Sequence, residues 1–391
     1  MAFTYSSPSY VGEVAADLIA DLLLDGETIS AGLISVHENV KKAEKIQSIV
    51  TDAQFAALSD DFTASGTTTV SEKELAPTGI QTQDEIGLKV LESSWQARQQ
   101  APGKSNVDLP SDMGQWIIMR KAEIITAHID TLLWQGDTTL SSDGVRKWHD
   151  GLIKLMKADS DVSKYAASVN EVIPTGVTVG STTVITVAST SNINEGDIVT
   201  CLGFTGADAA TLNGLDFVVL SKTATTFEID VDSTGDTITV SGSPLVQFIN
   251  KSNVIATLEI AFRRLPKPLR QMVKNGQTAD LVVYVPYHVG DAFQDAILAL
   301  GNGNGFAIQN EQGYQYKGLK IAPLGAIPDN HIVITRTSNI WFGTDLVSDQ
   351  NQVDALYMYP LSLETKYRYS AKFSSSVNFG FGTQILMVYP Q

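Results

Sequence analysis

Cations are scarce at the front of this 391-residue chain, where no Lys or Arg occurs before Lys41. A secretory leader needs a positively charged start, so export by that route is not expected. No apolar run approaches the roughly 20 residues of a membrane helix. The longest candidate, Val14–Leu24, is broken by Asp17 and Asp21, and the protein is expected to be soluble with no membrane partner. A single cysteine, Cys201, excludes an intrachain disulfide framework and fits a reducing compartment. The five histidines, His37, His128, His149, His288 and His331, are scattered, with no HExxH pair and no Cys/His cluster.

Other chemistry is equally thin. Gly301-Asn-Gly-Asn-Gly305 follows a helical stretch instead of a strand, so it reads as a helix cap and loop and not as a phosphate cradle. Asp230–Asp236 mimics half of a calcium loop but lacks the closing ligands, and a hairpin turn explains it better. There is no GxSxG elbow, and Cys201 has no local activating partner. No catalytic residue, cofactor or metal ligand is expected, and the chain is not expected to be an enzyme.

What is present is ordinary globular material: 43% hydrophobic and 18% charged residues, enough chain for two or three domains. The 27 basic against 43 acidic residues give a net charge of −16, which repels DNA and anionic membranes over most of the surface. Val11, Val14, Ala15, Leu18, Ile19, Leu22 and Leu23 form one helical stripe near the start. Residues 60–95 are polar and β-prone around Pro77-Thr78-Gly79, which predicts a long hairpin with little apolar anchorage. From Ser111 as cap, Ile118, Ala122, Ile125, Ile129, Leu132 and Leu133 keep a helical period up to Gly136.

The composition then shifts. Residues 172–248 are Thr/Ser/Val-rich with one lysine and eight acids, and their short alternating runs predict an inserted all-β module. Downstream come a helix capped by Ser252, the apolar strand Leu281–Val285, a helix to Gly301, and strands at Leu319–Ala322, Ile332–Thr335 and Ile340–Phe342. In the tail, Tyr367, Tyr369, Ala371 and Phe373 alternate with Lys366, Arg368, Ser370 and Lys372. The basic face Lys366, Arg368 and Lys372 is suited to an acidic hairpin such as that of Glu72, Glu74, Asp84 and Glu85 on a neighbouring copy. Lys73 lies in the same stretch.

Several of these segments, in order, resemble the major capsid proteins of tailed phages with the Hong Kong-97-type fold, particularly those of phages of Bacteroidetes-type hosts. The resemblance lies in Phe62–Trp95, in Ile125–Gly144 with Asp150–Ile153, in Asn253–Pro266 with Leu281–Val285, and in Tyr316–Ile321, Asn339–Leu346 and the alternating tail. It implies an α+β subunit divided into an N-terminal arm with an amphipathic helix (1–55), an extended loop (56–100), a peripheral domain with a spine helix (101–171), the inserted β module (172–248), an axial domain (249–345) and C-terminal strands returning to the peripheral domain (346–391).

The resemblance further implies a protein of the virion, assembled in the host bacterial cytoplasm. Copies of it would form pentamers and hexamers of an icosahedral head that encloses double-stranded DNA without sequence-specific binding. A separate scaffold protein, a portal and decoration proteins are the other expected partners. Glu72, Lys73, Glu74, Lys366, Arg368 and Lys372 are the expected inter-subunit contacts. Some relatives join subunits by a Lys–Asn bond, for which Lys73 is placed. The competing reading is a tail component or adhesin, a class the long helix argues against.

Overall fold

The computed structural model describes residues 27–55, 57–58, 64–87, 124–166, 171–300, 315–344, 353–357 and 366–390. The helix expected at 11–24, the cap and first turns expected at 111–122, and the glycine loop 301–305 lie outside them.

In chain order the elements begin with α1 (Glu27–Ser30), β1 (Ser35–His37), β2 (Glu44–Asp52), β3 (Thr67–Leu75), β4 (Thr78–Gly87), α2 (124–135) and α3 (Leu152–Ala158). Next are β5 (Ser163–Ala166), β6 (Glu171–Val172), β7 (Pro174–Thr178), β8 (Thr183–Val187), β9 (Ile198–Leu202), β10 (Leu215–Lys222), β11 (Thr226–Ile229) and β12 (Leu245–Phe248). After these follow α4 (Val254–Arg264), α5 (Lys267–Lys274), β13 (Leu281–Val285), α6 (Tyr287–Leu300), β14 (Gln315–Tyr316) and β15 (Leu319–Pro323). The last are β16 (Ile332–Arg336), β17 (Ile340–Gly343), β18 (Val353–Tyr357), β19 (Lys366–Phe379) and β20 (Leu386–Tyr389). The expected α+β class is what the chain adopts.

Two compact units divide the chain, one of residues 1–152 and 340–380, the other of 153–339 and 381–391. In the first, the long strand β19 pairs with β4 over 366–375, with β18 over 367–371 and with β17 over 376–379, while β1 runs parallel to β17. The alternation read in the tail is visible here: Tyr369 and Ala371 are buried while Arg368 and Lys372 are exposed.

Of the β-prone stretch 60–95 the described part, 64–87, does not fold back on itself. Thr67–Leu75 pairs instead with the earlier Glu44–Asp52, ahead of the expected 56–100 loop, and Thr78–Gly87 pairs with the tail. Pro77, which has no N–H for a ladder, sits where the chain leaves one sheet for the other.

In the second unit, α4 and α6 cover a six-stranded sheet of order β14-β15-β13-β16-β20-β5. All five residues of β13, Leu-Val-Val-Tyr-Val, are buried, as a central strand covered on both faces requires. Leu258, Ala261, Val283, Val289, Phe293, Ile321 and Ile334 form the heart of this core. The expected Ser252 cap is displaced by one residue, because Asn253 occupies the N-cap of α4 and the Ser252 hydroxyl bonds Asn250 Oδ1 at 2.7 Å instead.

Residues 171–248 form a seven-stranded sheet of order β6-β12-β9-β10-β11-β8-β7 around a separate core of Ile185, Val199, Leu212, Val219, Phe227, Ile229 and Val246. Cys201 is buried there, and burial pushes its thiol up, which leaves it unreactive. Asn330, only 2% exposed, links the two cores: its Oδ1 accepts the Ile249 N–H at 2.8 Å and its Nδ2 donates to Thr200 Oγ1 at 2.9 Å.

Candidate inter-subunit surface

In the first unit a two-stranded ribbon emerges from a tightly built root. Helix α2 buries Ile129, Leu132, Leu133 and Trp134, and the Trp134 indole N–H donates to the buried Thr28 Oγ1 at 3.0 Å. Asp130, 4% exposed, accepts the Thr28 N–H at 3.1 Å, and burial raises its pKa. The turn after α2 depends on two glycines. A Cβ on Gly151 would lie 2.4 Å from Gly136 N and 2.8 Å from Trp134 O, and one on Gly136 would lie 2.3 Å from His149 O. His149 Nε2 meets Ser375 Oγ at 2.7 Å, and since that hydroxyl is fully buried the pair is a packing contact and not a nucleophile.

The ribbon β2–β3 holds nine residue pairs with no third strand among the described residues. At its base, Leu75 is fully buried, Lys73 Nζ lies 3.8 Å from the centroid of the Phe379 ring, and Asn378 Nδ2 donates to Glu74 O at 2.8 Å. Farther along one face, Lys45 pairs with Glu72 at 3.1 Å, and that hydrogen bond lowers the Glu72 pKa. On the same face Ile49 stands opposite Val70, 61% and 54% exposed, and Val50 on the other face is 53% exposed. Phe55 and Leu58, beyond the end of β2, have no cover at all.

A two-stranded ribbon is marginal on its own, and this one turns apolar side chains outward on both faces. The reading of the sequence missed Glu44–Asp52. Its run Ile-Gln-Ser-Ile-Val-Thr carried the strand signal, but the polar residues around it matched the polarity of a loop.

The expected contact residues are placed as follows. Glu72 and Lys73 lie on the ribbon with the partners just given, and Glu74 lies at its base. Lys366 and Arg368 both reach Glu85 of the same chain, at 2.6 and 2.9 Å, because β4 and β19 pair in that register. Those hydrogen bonds, from Lys366 first and Arg368 second, lower the Glu85 pKa. Lys372, opposite Gln81, is exposed. The ion pairs are themselves solvent-exposed and fix strand register more than they add strength. Beside them, Ile80, Ile125, Ile129, Leu132, Trp148 and Phe373 line a shallow, partly apolar groove of about 70 Å³.

No protein-family profile and no curated protein matches the chain. Among solved structures it is similar to phage capsids. One is the procapsid of satellite phage P4 with its size determination protein, at 12% identity, TM-score 0.45 and coverage of 98% of this chain and 93% of that one. The capsid of a native GTA particle follows at 9% identity and TM-score 0.48, over 100% of this chain and 96% of that one. The capsid of Myoviridae phage XM1 is matched at 11% identity and TM-score 0.44, over 94% and 92%. At such scores the likeness is one of broad arrangement, and nothing about partners or assembly follows from it.

Proposed function

We propose that this chain is a major capsid protein, whose copies assemble as pentamers and hexamers into an icosahedral phage head enclosing double-stranded DNA. The observation that carries the reading is the β2–β3 ribbon, with Ile49, Val50 and Val70 more than half exposed on a strand pair that no third strand supports among the described residues. Apolar area of this kind is stabilised only when something covers it. In a shell of identical subunits the cover is a neighbouring copy, and many modest contacts close a stable assembly. The ordered resemblance of the sequence to tailed-phage capsid proteins supports the same conclusion.

In this reading Glu72, Lys73, Glu74 and Lys372 line contacts between copies, and Lys366 and Arg368 hold Glu85 in place beside them. A separate scaffold, a portal and decoration proteins complete the particle, which forms in the host cytoplasm, and the acidic surface discourages DNA from adhering to most of the wall. Electron microscopy of the expressed protein tests the proposal. Closed cages are expected. Rods, trimers, or a monomer that persists at high concentration would overturn it. A denaturing gel of the cages reads covalent joining through Lys73 directly, as a ladder of oligomers.

A further inference from the structure

The sequence −16 in net charge contains one stretch of opposite character. Residues 263–274, Arg-Arg-Leu-Pro-Lys-Pro-Leu-Arg-Gln-Met-Val-Lys, hold five cations and no acid. They fold as the end of α4, a Pro266 elbow and α5. Leu265 and Leu269 point into the core while Lys267, Arg270 and Lys274 are exposed at spacings of three and four residues, one stripe of the helix. One contact joins the stripe to the end of α4, and the other cations are held on aromatic rings. Arg270 Nη2 donates to the Arg263 carbonyl, Arg264 lies 4.2 Å from the centroid of the Tyr165 ring, and Lys317 lies 4.8 Å from that of Phe262 on α4. One carboxylate, Glu259, offsets part of this charge through Arg263 at 2.5 Å.

We propose that this α4–α5 elbow is a contact surface for the phosphate backbone of double-stranded nucleic acid, resting on the capsid reading above for the source of the duplex. Three observations select that partner. The stripe Lys267–Lys274 rises about 10 Å along the helix axis, the axial length that holds about three phosphates of one duplex strand. The aromatic rings beneath the patch are engaged with each other edge-on, Phe262 and Phe293 against Tyr316, and Tyr165 and Tyr316 carry Arg264 and Lys317, so among the described residues these rings are not left open as a stacking platform for unpaired bases. Within the elbow itself, 263–274, the large apolar side chains Leu265 and Leu269 are buried and none is exposed, so an acidic protein partner would find no apolar anchor on the stripe. The net acidic balance of the rest of the chain disfavours a polyanion over most of the surface and leaves this elbow as the largest acid-free run of cations. Contact is therefore weak, oriented and independent of sequence.

The test uses the full chain and a fluorescent 30-base-pair duplex, with binding followed by anisotropy from 50 to 200 mM salt. About five phosphate contacts give a log–log salt slope near −4.5, a loss of about 500-fold over that range. The variant K267Q/R270Q/K274Q is expected to flatten the slope to about −2, K267Q/K274Q to reach an intermediate value, and K41Q/K42Q to leave it unchanged. A wild-type chain with no salt-dependent binding, a triple variant that is folded and binds like wild type, or tighter capture of polyglutamate than of the duplex would each overturn the proposal. Cages seen by microscopy without duplex binding refute this inference and leave the shell reading intact. Duplex binding without cages refutes the shell reading and not this one.

Discussion

Removing the exposed apolar pair on the ribbon should weaken association between copies without harming the fold of one copy. Ile49 and Val70 face each other across β2 and β3 and are 61% and 54% exposed, so most of their side-chain area is still available to a partner. Full burial of such a residue is worth about 1.5–3 kcal/mol, so the exposed fractions leave roughly 2–3 kcal/mol for the pair at each contact. At tenfold per 1.4 kcal/mol, the double variant Ile49→Ser/Val70→Ser should raise the concentration needed for assembly roughly 30- to 150-fold. The thermal midpoint of the unassembled chain should move little, because neither side chain belongs to its core. Light scattering against protein concentration, with sedimentation to separate cages from free subunits, gives the threshold. A variant that assembles at the wild-type concentration would show that the ribbon faces solvent in the particle and would remove the main support for the capsid reading.

Three further outcomes follow from the interior of the subunit. Gly151→Ala places a methyl 2.4 Å from Gly136 N and 2.8 Å from Trp134 O, all backbone, so calorimetry should show a loss of about 1–3 kcal/mol or more, some 2–12 °C in the midpoint; an unchanged midpoint would contradict the close approach of the two glycines. Asp143 accepts the Arg146 and Val145 N–H groups and the Arg146 guanidinium, which hold its pKa down at about 2, so its stabilising contribution is complete above the ordinary 3.8 and is lost as pH falls through about 2; Arg146→Gln should move the carboxyl titration seen by NMR upward. Asp216 is exposed on β10, yet desolvation of its carboxyl and then the nearby Asp329 push it up to about 6 from 3.8, so the folded state holds the extra proton between those values and stability falls as pH rises through that window, by an amount that solvent at the exposed side chain keeps small; urea midpoints from pH 4 to 7 should lose this slope in Asp216→Asn, and an equal slope in the variant would refute it.

How far the sequence foretold this fold depended on where each segment is buried. Leu281–Val285 and the alternating Lys366–Phe373 were legible because one of them is covered on both faces and the other on one, and burial writes itself directly into the period of apolar residues. The Thr/Ser/Val-rich stretch 172–248 was legible for the same reason, β8 alternating strictly in burial. The pairing of the ribbon was not. Thr67–Leu75 and Thr78–Gly87 are neighbours in sequence and both polar, so a local hairpin was the natural reading, but the first pairs backward with β2 and the second pairs with a strand some 290 residues away. Strand polarity says that a face is exposed and nothing about which strand lies beside it. The cationic elbow differs: the apolar period of Val254–Phe262 signals a helix that stops before Pro266, and nothing in that period marks the helix Lys267–Lys274 or gathers its cations with Arg263 and Arg264.

The two surfaces proposed for this chain rest on different forces, and that difference separates them experimentally. The ion pair Lys45–Glu72 on the ribbon and those of Lys366 and Arg368 with Glu85 on β4 and β19 are intrachain and exposed, so salt screens them at little cost to association, while burial of Ile49, Val50 and Val70 on the ribbon does not depend on counterions. The elbow residues 263–274 expose no large apolar side chain, and attraction there comes from displaced counterions. Raising salt from 50 to 500 mM should therefore release a duplex from the elbow by about four and a half orders of magnitude at a slope near −4.5, while the threshold for assembly moves little. If both responded steeply to salt, the contacts between copies would be electrostatic, and the apolar faces of the ribbon would need another partner.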